Sequence, residues 1–188
     1  MVLPKVVGFN LSGKLNSNVN ATDLVLTIVQ MLRNRGVVDK FVEFFGEGCS
    51  TLSVADRATI ANMGPEYGAT IGYFPVDTQT IDYLKLSGRD HNKIDLIKKY
   101  YEEQGLFRTY EGPNPDYSGD IVELDLRSVQ PCLSGPKRPH DMVKLSDMKN
   151  DFKTCLTNPV GFKGFGLSKQ EKTKYCSFKF KGKDYTLK

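Results

Sequence analysis

A chain of 188 residues with 39% hydrophobic and 26% charged side chains describes an ordinary, slightly polar globular protein with one sizeable core or two modest ones. No apolar run approaches the roughly 20 residues that cross a bilayer, which excludes a membrane-spanning helix. The net charge of +4 is uneven: residues 161–188 hold eight lysines against Glu171 and Asp184, a local +6, so the rest sums to −2. A basic C-terminal segment of this kind either attracts polyanions such as nucleic acid or forms a solvated face.

The opening residues lack the basic-then-apolar pattern of a signal peptide, so the expected location is cytoplasmic. Residues 4–15 alternate enough for a strand, and 16–20 make a polar turn. The spacing then predicts a helix over 22–35, with Thr22 as N-cap and Leu24, Ile28, Met31 and Leu32 on one face. Gly36 is its natural stop. Residues 37–45 read as a buried strand followed by a Gly46–Gly48 turn. Ser53, with Asp56 three residues on, caps the next helix, whose Ala55, Ala58 and Ala61 are expected to lie against a sheet. That helix ends near Met63, before Gly64-Pro65.

A short strand over 69–74 and helical stretches over 78–86 and 93–104 complete a strand–helix alternation that argues for a parallel α/β sheet. The texture changes from Phe107, and a domain boundary is expected near 105–120. Beyond it, 121–126 alternates like a strand, 146–156 reads as a capped helix, and 176–187 as a hairpin with aromatics inward and lysines outward.

Four cysteines, Cys49, Cys132, Cys155 and Cys176, are separated by 83, 23 and 21 residues, and only His91 and His140 could join them. This spacing does not suit a zinc site, and reduced structural thiols are expected. The Gly46-Glu47-Gly48 turn lacks the third glycine of a dinucleotide fingerprint and the lysine of a P-loop, so a tight turn is the simpler reading. Ser134-Gly135-Pro136-Lys137-Arg138-Pro139-His140 is a rigid basic loop that would suit phosphate or RNA, or would simply be exposed.

Residues 59–77 carry the strongest signal: a helix end, three glycines and two prolines around Asn62 and Glu66. A carboxylate in a dry cleft can move a proton or orient a water, and a neighbouring amide can donate to a substrate oxygen. By spacing alone, a surface glutamate after a helix end is the commoner outcome.

Several long motifs in fixed order resemble the aconitase family, in particular its cytosolic aconitase and iron regulatory protein branch. They are GVVDKFVEFFG at 36–46, ADRATIANM at 55–63, PEYGAT at 65–70, SGPKRP at 134–139 and VGFKGF at 160–165. The resemblance implies a parallel-sheet three-layer α/β domain over 1–106, the family's second domain. It also implies the opening of a following, incomplete α/β domain over 107–188. It implies a hydro-lyase that interconverts citrate and isocitrate through aconitate on an open [4Fe–4S] cluster, with Glu66 and Asn62 as the catalytic pair and Asn62 beside the cluster. None of the four cysteines matches a family cluster ligand, so this chain is expected to bind no cluster alone, and to be inactive without the remaining domains. The alternative implied by the resemblance is binding of iron-responsive-element RNA through Ser134, Lys137 and Arg138. The family's second RNA-contacting position, a lysine eight residues after the serine, is Met142 here.

Overall fold

Strict alternation in the first strand decides where the core lies. In the computed structural model, which describes residues 3–117 and 119–187, strand β1 (Val6–Ser12) turns Val7, Phe9 and Leu11 to one side, each at most 2% exposed. Helix α1 (Ala21–Arg35) adds Leu24, Ile28 and Leu32 to the same core, all fully buried, while Met31 is only partly covered. The helix starts earlier than the sequence pattern predicts. Asn20, not Thr22, is the N-cap: its side chain accepts from Asp23 N at 3.0 Å, and the Asp23 carboxylate accepts from Asn20 N at 3.0 Å. This reciprocal box satisfies two amide donors that Thr22, one turn-position inside, would leave open. Gly36 closes the helix at φ 76° with its N–H donating to Leu32 O at 3.0 Å.

Strand β2 (Phe41–Phe45) is shorter than the expected 37–45, because Val37–Lys40 is a turn with Asp39 at φ 58°. A 3-10 turn (Glu47–Thr51), helix α2 (Val54–Asn62), a four-residue turn of helix α3 (Gly64–Tyr67) and strand β3 (Ile71–Tyr73) follow. Then come α4 (Thr78–Leu86), α5 (His91–Glu103) and β4 (Ile121–Asp125). The four strands form one parallel sheet in the order β3-β2-β1-β4, with Val6 opposite Phe41, Phe41 opposite Ile71 and Gly8 opposite Ile121. This is the parallel α/β arrangement that the strand–helix alternation requires.

The loop at 105–120, where the composition changes, leads directly into β4 of this sheet. The chain divides by compactness further on, into a unit ending at Met142 and one beginning at Val143. The first unit also holds β5 (Cys132–Ser134), and β6 (Met142–Lys144) spans the division. The second unit contains α6 (Met148–Thr157) and an antiparallel hairpin of β7 (Cys176–Phe180) and β8 (Lys183–Leu187). The hairpin is where the sequence places it, but the inward packing of its aromatics is not: every described hairpin strand residue is exposed, and Phe178 stacks on Tyr185 at 5.6 Å. Among the described residues no helix is long and apolar enough to cross a membrane.

Candidate functional site

Helix α2 is built around an arginine rather than around its alanines. Ala55 and Ala58 are exposed, and the helix buries Arg57 and Ile60 instead. Small residues would suit close sheet contact, but the helical phase that buries Ile60 also turns Arg57 inward. A buried guanidinium needs every donor occupied. Its Nε donates to Leu52 O at 3.2 Å, and its terminal nitrogens donate to Cys49 O at 2.8 Å and to Pro75 O at 3.4 Å. Both carboxylate oxygens of Asp77 accept from it, at 2.9 and 2.6 Å. Burial works against the charge of Arg57, but the bonds to Asp77 hold its pKa above the ordinary value. The guanidinium also lies 5.9 Å from the centre of the Phe74 ring, itself stacked on Phe44 at 4.4 Å.

Asp77 does three jobs at once. It caps α4 by accepting from Thr80 N at 3.3 Å, it takes the bidentate Arg57 pair, and it accepts from the Tyr110 hydroxyl at 2.6 Å. Tyr110 reaches it from a backbone at φ 62°, a left-handed conformation that costs a bulky residue about 1–2 kcal/mol. Burial and the Asp77 carboxylate push the Tyr110 hydroxyl pKa well up, so it stays a donor.

The break between α2 and α3 carries the two residues singled out from the sequence. Asn62 is the last residue of α2 and Glu66 sits in α3; both are exposed, and neither side chain makes a hydrogen bond or ion pair among the described residues. The backbone beneath them is firmly held. Glu66 N and Tyr67 N donate to Met63 O at 3.1 and 3.3 Å, and Gly68, at φ 93°, donates to Gly64 O at 2.9 Å. Gly64-Pro65 therefore ends α2 without ending the helical course of the chain. Tyr67 braces the turn: its ring is fully buried and its hydroxyl donates to Ile60 O at 3.3 Å, within the last turn of α2. Gly72 makes the room, since a Cβ there would collide with the Tyr67 hydroxyl and crowd the Phe44 ring.

This lip lies between α2 and β3, at the end of the sheet where the strands start: Thr70 N donates to Lys40 O at 2.9 Å, just ahead of β2. Open parallel sheets more often bind ligands beyond the opposite, C-terminal strand ends, where the strand order reverses. Here that end, past Ser12 and Asp125, is tied up locally: Arg127 pairs back on Asp125 at 2.8 Å. The Gly46–Gly48 turn beside it packs tightly on the Leu11 backbone, where a Cβ at either glycine would collide. Its glycines serve close backbone approach rather than an anion cradle.

The basic loop after β5 folds on itself. Gly135 N donates to Asp141 O at 3.2 Å and Arg138 N to the buried Asp141 carboxylate at 3.2 Å, with a cis Gly135–Pro136 peptide between. Lys137 and Arg138 are exposed, and the Ser134 hydroxyl is buried without a hydrogen-bond partner among the described residues. Met142 is held against α1, its sulfur accepting from the Thr27 hydroxyl at 3.7 Å.

An iron–sulfur cluster takes thiolate ligands gathered in one place. Among the described residues no three His, Cys, Asp or Glu side chains are grouped to hold a metal. Burial pushes the Cys49 thiol up to about 12 and the Cys132 thiol up to about 11, and burial beside Asp151 raises Cys155. These protonated thiols are scattered and do not fit a cluster among the described residues; at the lip this chain itself contributes a carboxylate and an amide. Sequence reasoning singles out Asn62 and Glu66 but misses the groups packed beneath them, Arg57, Tyr67, Asp77 and Tyr110. The one available signal was an arginine at the helical position of a core residue.

Comparison with known proteins shows the family of the chain. The model of the aconitase family (aconitate hydratase) matches residues 1–186. Aconitate hydratase A of Bacillus subtilis (strain 168) is 49% identical over 185 residues, which cover 98% of this chain and 20% of the relative. The chain thus spans about a fifth of that relative's length. With a match that runs from end to end through the 36–70 and 134–165 motifs, the chain belongs to the aconitase family.

Proposed function

We propose that these residues form one wall of an aconitate hydratase-type site, in which Glu66 and Asn62 face the substrate. The substrates are citrate and isocitrate, exchanged through aconitate by loss and return of water. Glu66 gives a proton to the departing hydroxyl, which leaves as water, and takes that proton back on rehydration, while the proton lost from the adjacent carbon goes to a base outside this chain. The Asn62 amide hydrogen-bonds a substrate oxygen and fixes its orientation. No ligation step is assigned to this chain, because its thiols do not suit a cluster. Alone, the chain is expected to form no aconitate.

The observation that carries the reading is the pair itself: two polar side chains without partners among the described residues, four positions apart, on a backbone braced by buried groups. Surface residues that serve only solubility need no such bracing. The iron regulatory alternative gains nothing from the comparison, whose relative carries an enzyme's name, and Met142 brings no cation to the basic loop.

The test is a hybrid in which these residues replace the matching segment of the Bacillus aconitate hydratase A. The hybrid should convert citrate to aconitate, read by absorbance. Glu66→Gln in it should lower kcat by roughly 100- to 10,000-fold. An active hybrid indifferent to Glu66→Gln would sink the proposal.

A further inference from the structure

Residues 57 and 77 are the two ends of an excursion that includes α2's last turns, α3 and β3, and the buried Arg57–Asp77 pair closes it. Both side chains are almost fully covered, at 4% and 2% exposure, so water does not compete for the pair. Arg57 holds the carbonyls of Cys49 and Leu52 before α2 and of Pro75 after β3, while Asp77 caps α4. Within the closed excursion, Tyr67 ties α3 to the Ile60 carbonyl of α2. The exposed lip is therefore held at both ends of the helix that carries it, by groups that are almost fully covered.

We infer that Arg57 is a positioning residue for the Asn62–Glu66 pair, acting through Asp77 to set α2, with Tyr67 as the inner brace. A guanidinium is required because only its planar fork spans both Asp77 oxygens while reaching the flanking carbonyls. A lysine keeps the charge and forfeits the geometry. The inference rests on the site reading proposed above for its catalytic consequence, but the geometry of the closed excursion stands apart from it.

The experiment has two arms. Amide hydrogen exchange on the whole 188-residue chain compares Arg57→Lys with the parent. Exchange at Glu66, Tyr67, Gly68 and Ala69, whose amides are bonded within the lip, should rise at least about tenfold while β1 and β2 amides keep their rates. A uniform rise across the sheet would mean a merely structural residue, and no rise would mean no control of the lip; either overturns the inference. In the active hybrid, Arg57→Lys should lower kcat roughly 10- to 100-fold with KM unchanged within about twofold. Unchanged kcat in an active hybrid also overturns it. Should Arg57→Lys fail to fold, Tyr67→Phe, which keeps the ring and removes only the hydroxyl, must give the same local exchange and kcat pattern or the inference fails. A hybrid inactive with the parent segment counts against the site reading, while the exchange arm still decides the positioning role.

Discussion

Cys49 is fully buried beside the Arg57 carbonyl network, and its protonated thiol is part of the core rather than a reagent. Burial raises its pKa from 9.0 to about 12, outweighing the pull of Arg57. A group whose folded pKa lies above its unfolded one stabilises the fold fully below the unfolded value. That contribution is then lost as pH rises through the folded value, here between about pH 9 and 12. The upper limit of the loss is about 1.4 kcal/mol per pH unit. Cys49→Ala removes the titration and leaves a small void, so at pH 8 it should be less stable than the parent by about 1 kcal/mol. Urea midpoints at pH 8, 9 and 10 should converge as the parent alone loses the Cys49 contribution, and by about pH 10.5 the parent's advantage should be gone. Parallel curves over that range would mean that the thiol is not held protonated by the fold.

The α2–α3–β3 passage is set by one missing side chain. Gly72→Ala puts a Cβ against the Tyr67 hydroxyl and the Phe44 ring, so either Tyr67 leaves its bond to Ile60 or β3 shifts. Overpacking of this kind costs about 1–3 kcal/mol. The expected result is that loss in urea unfolding, together with loosened lip amides; an unchanged midpoint would contradict the packing described for Tyr67. Elements whose signal is local were legible in the sequence: α1 from its apolar period, the Ser53–Asp56 box, the parallel alternation, the Lys-rich hairpin and the end of α2 before Gly64-Pro65. What was illegible depends on partners far apart in the chain. Arg57 finds Asp77 twenty residues on and Asp77 finds Tyr110 thirty-three on, and no spacing rule links them. Asn20 and Thr22 are both good N-caps, so only the reciprocal bond from Asp23 decides between them. The composition change after Phe107 is real, but β4 pairs with β1 across more than a hundred residues, which composition does not record.

At the scale of the whole chain, burial is concentrated on one side of Met142. The first unit holds the sheet and a core that runs from Val7 to Val129, whereas α6 in the second buries only Cys155. The second unit relies on local bonds instead: Lys163 pairs with Asp151 at 3.1 Å and Phe165 N donates to Cys155 O at 2.9 Å. Its hairpin has the cross-strand Phe178–Tyr185 stack and a long, exposed Lys179–Asp184 pair at 4.0 Å, yet all its described residues are exposed and lysines outnumber acidic residues in it. A two-stranded hairpin without a covered face is marginal in water, because the entropy of ordering two strands is not met by burial. Cooperative unfolding of the chain as one body is therefore not expected. Hydrogen exchange should show β7 and β8 amides exchanging at least about 100-fold faster than those of β1 and β2, a gap of roughly 2.7 kcal/mol in opening free energy. Raising salt to about 0.5 M should slow the hairpin amides by screening the lysines, and leave the sheet amides alone. Equal protection in the hairpin and the sheet would mean that a covering surface holds β7 and β8, and that the exposed aromatics are one side of a contact rather than a solvated face.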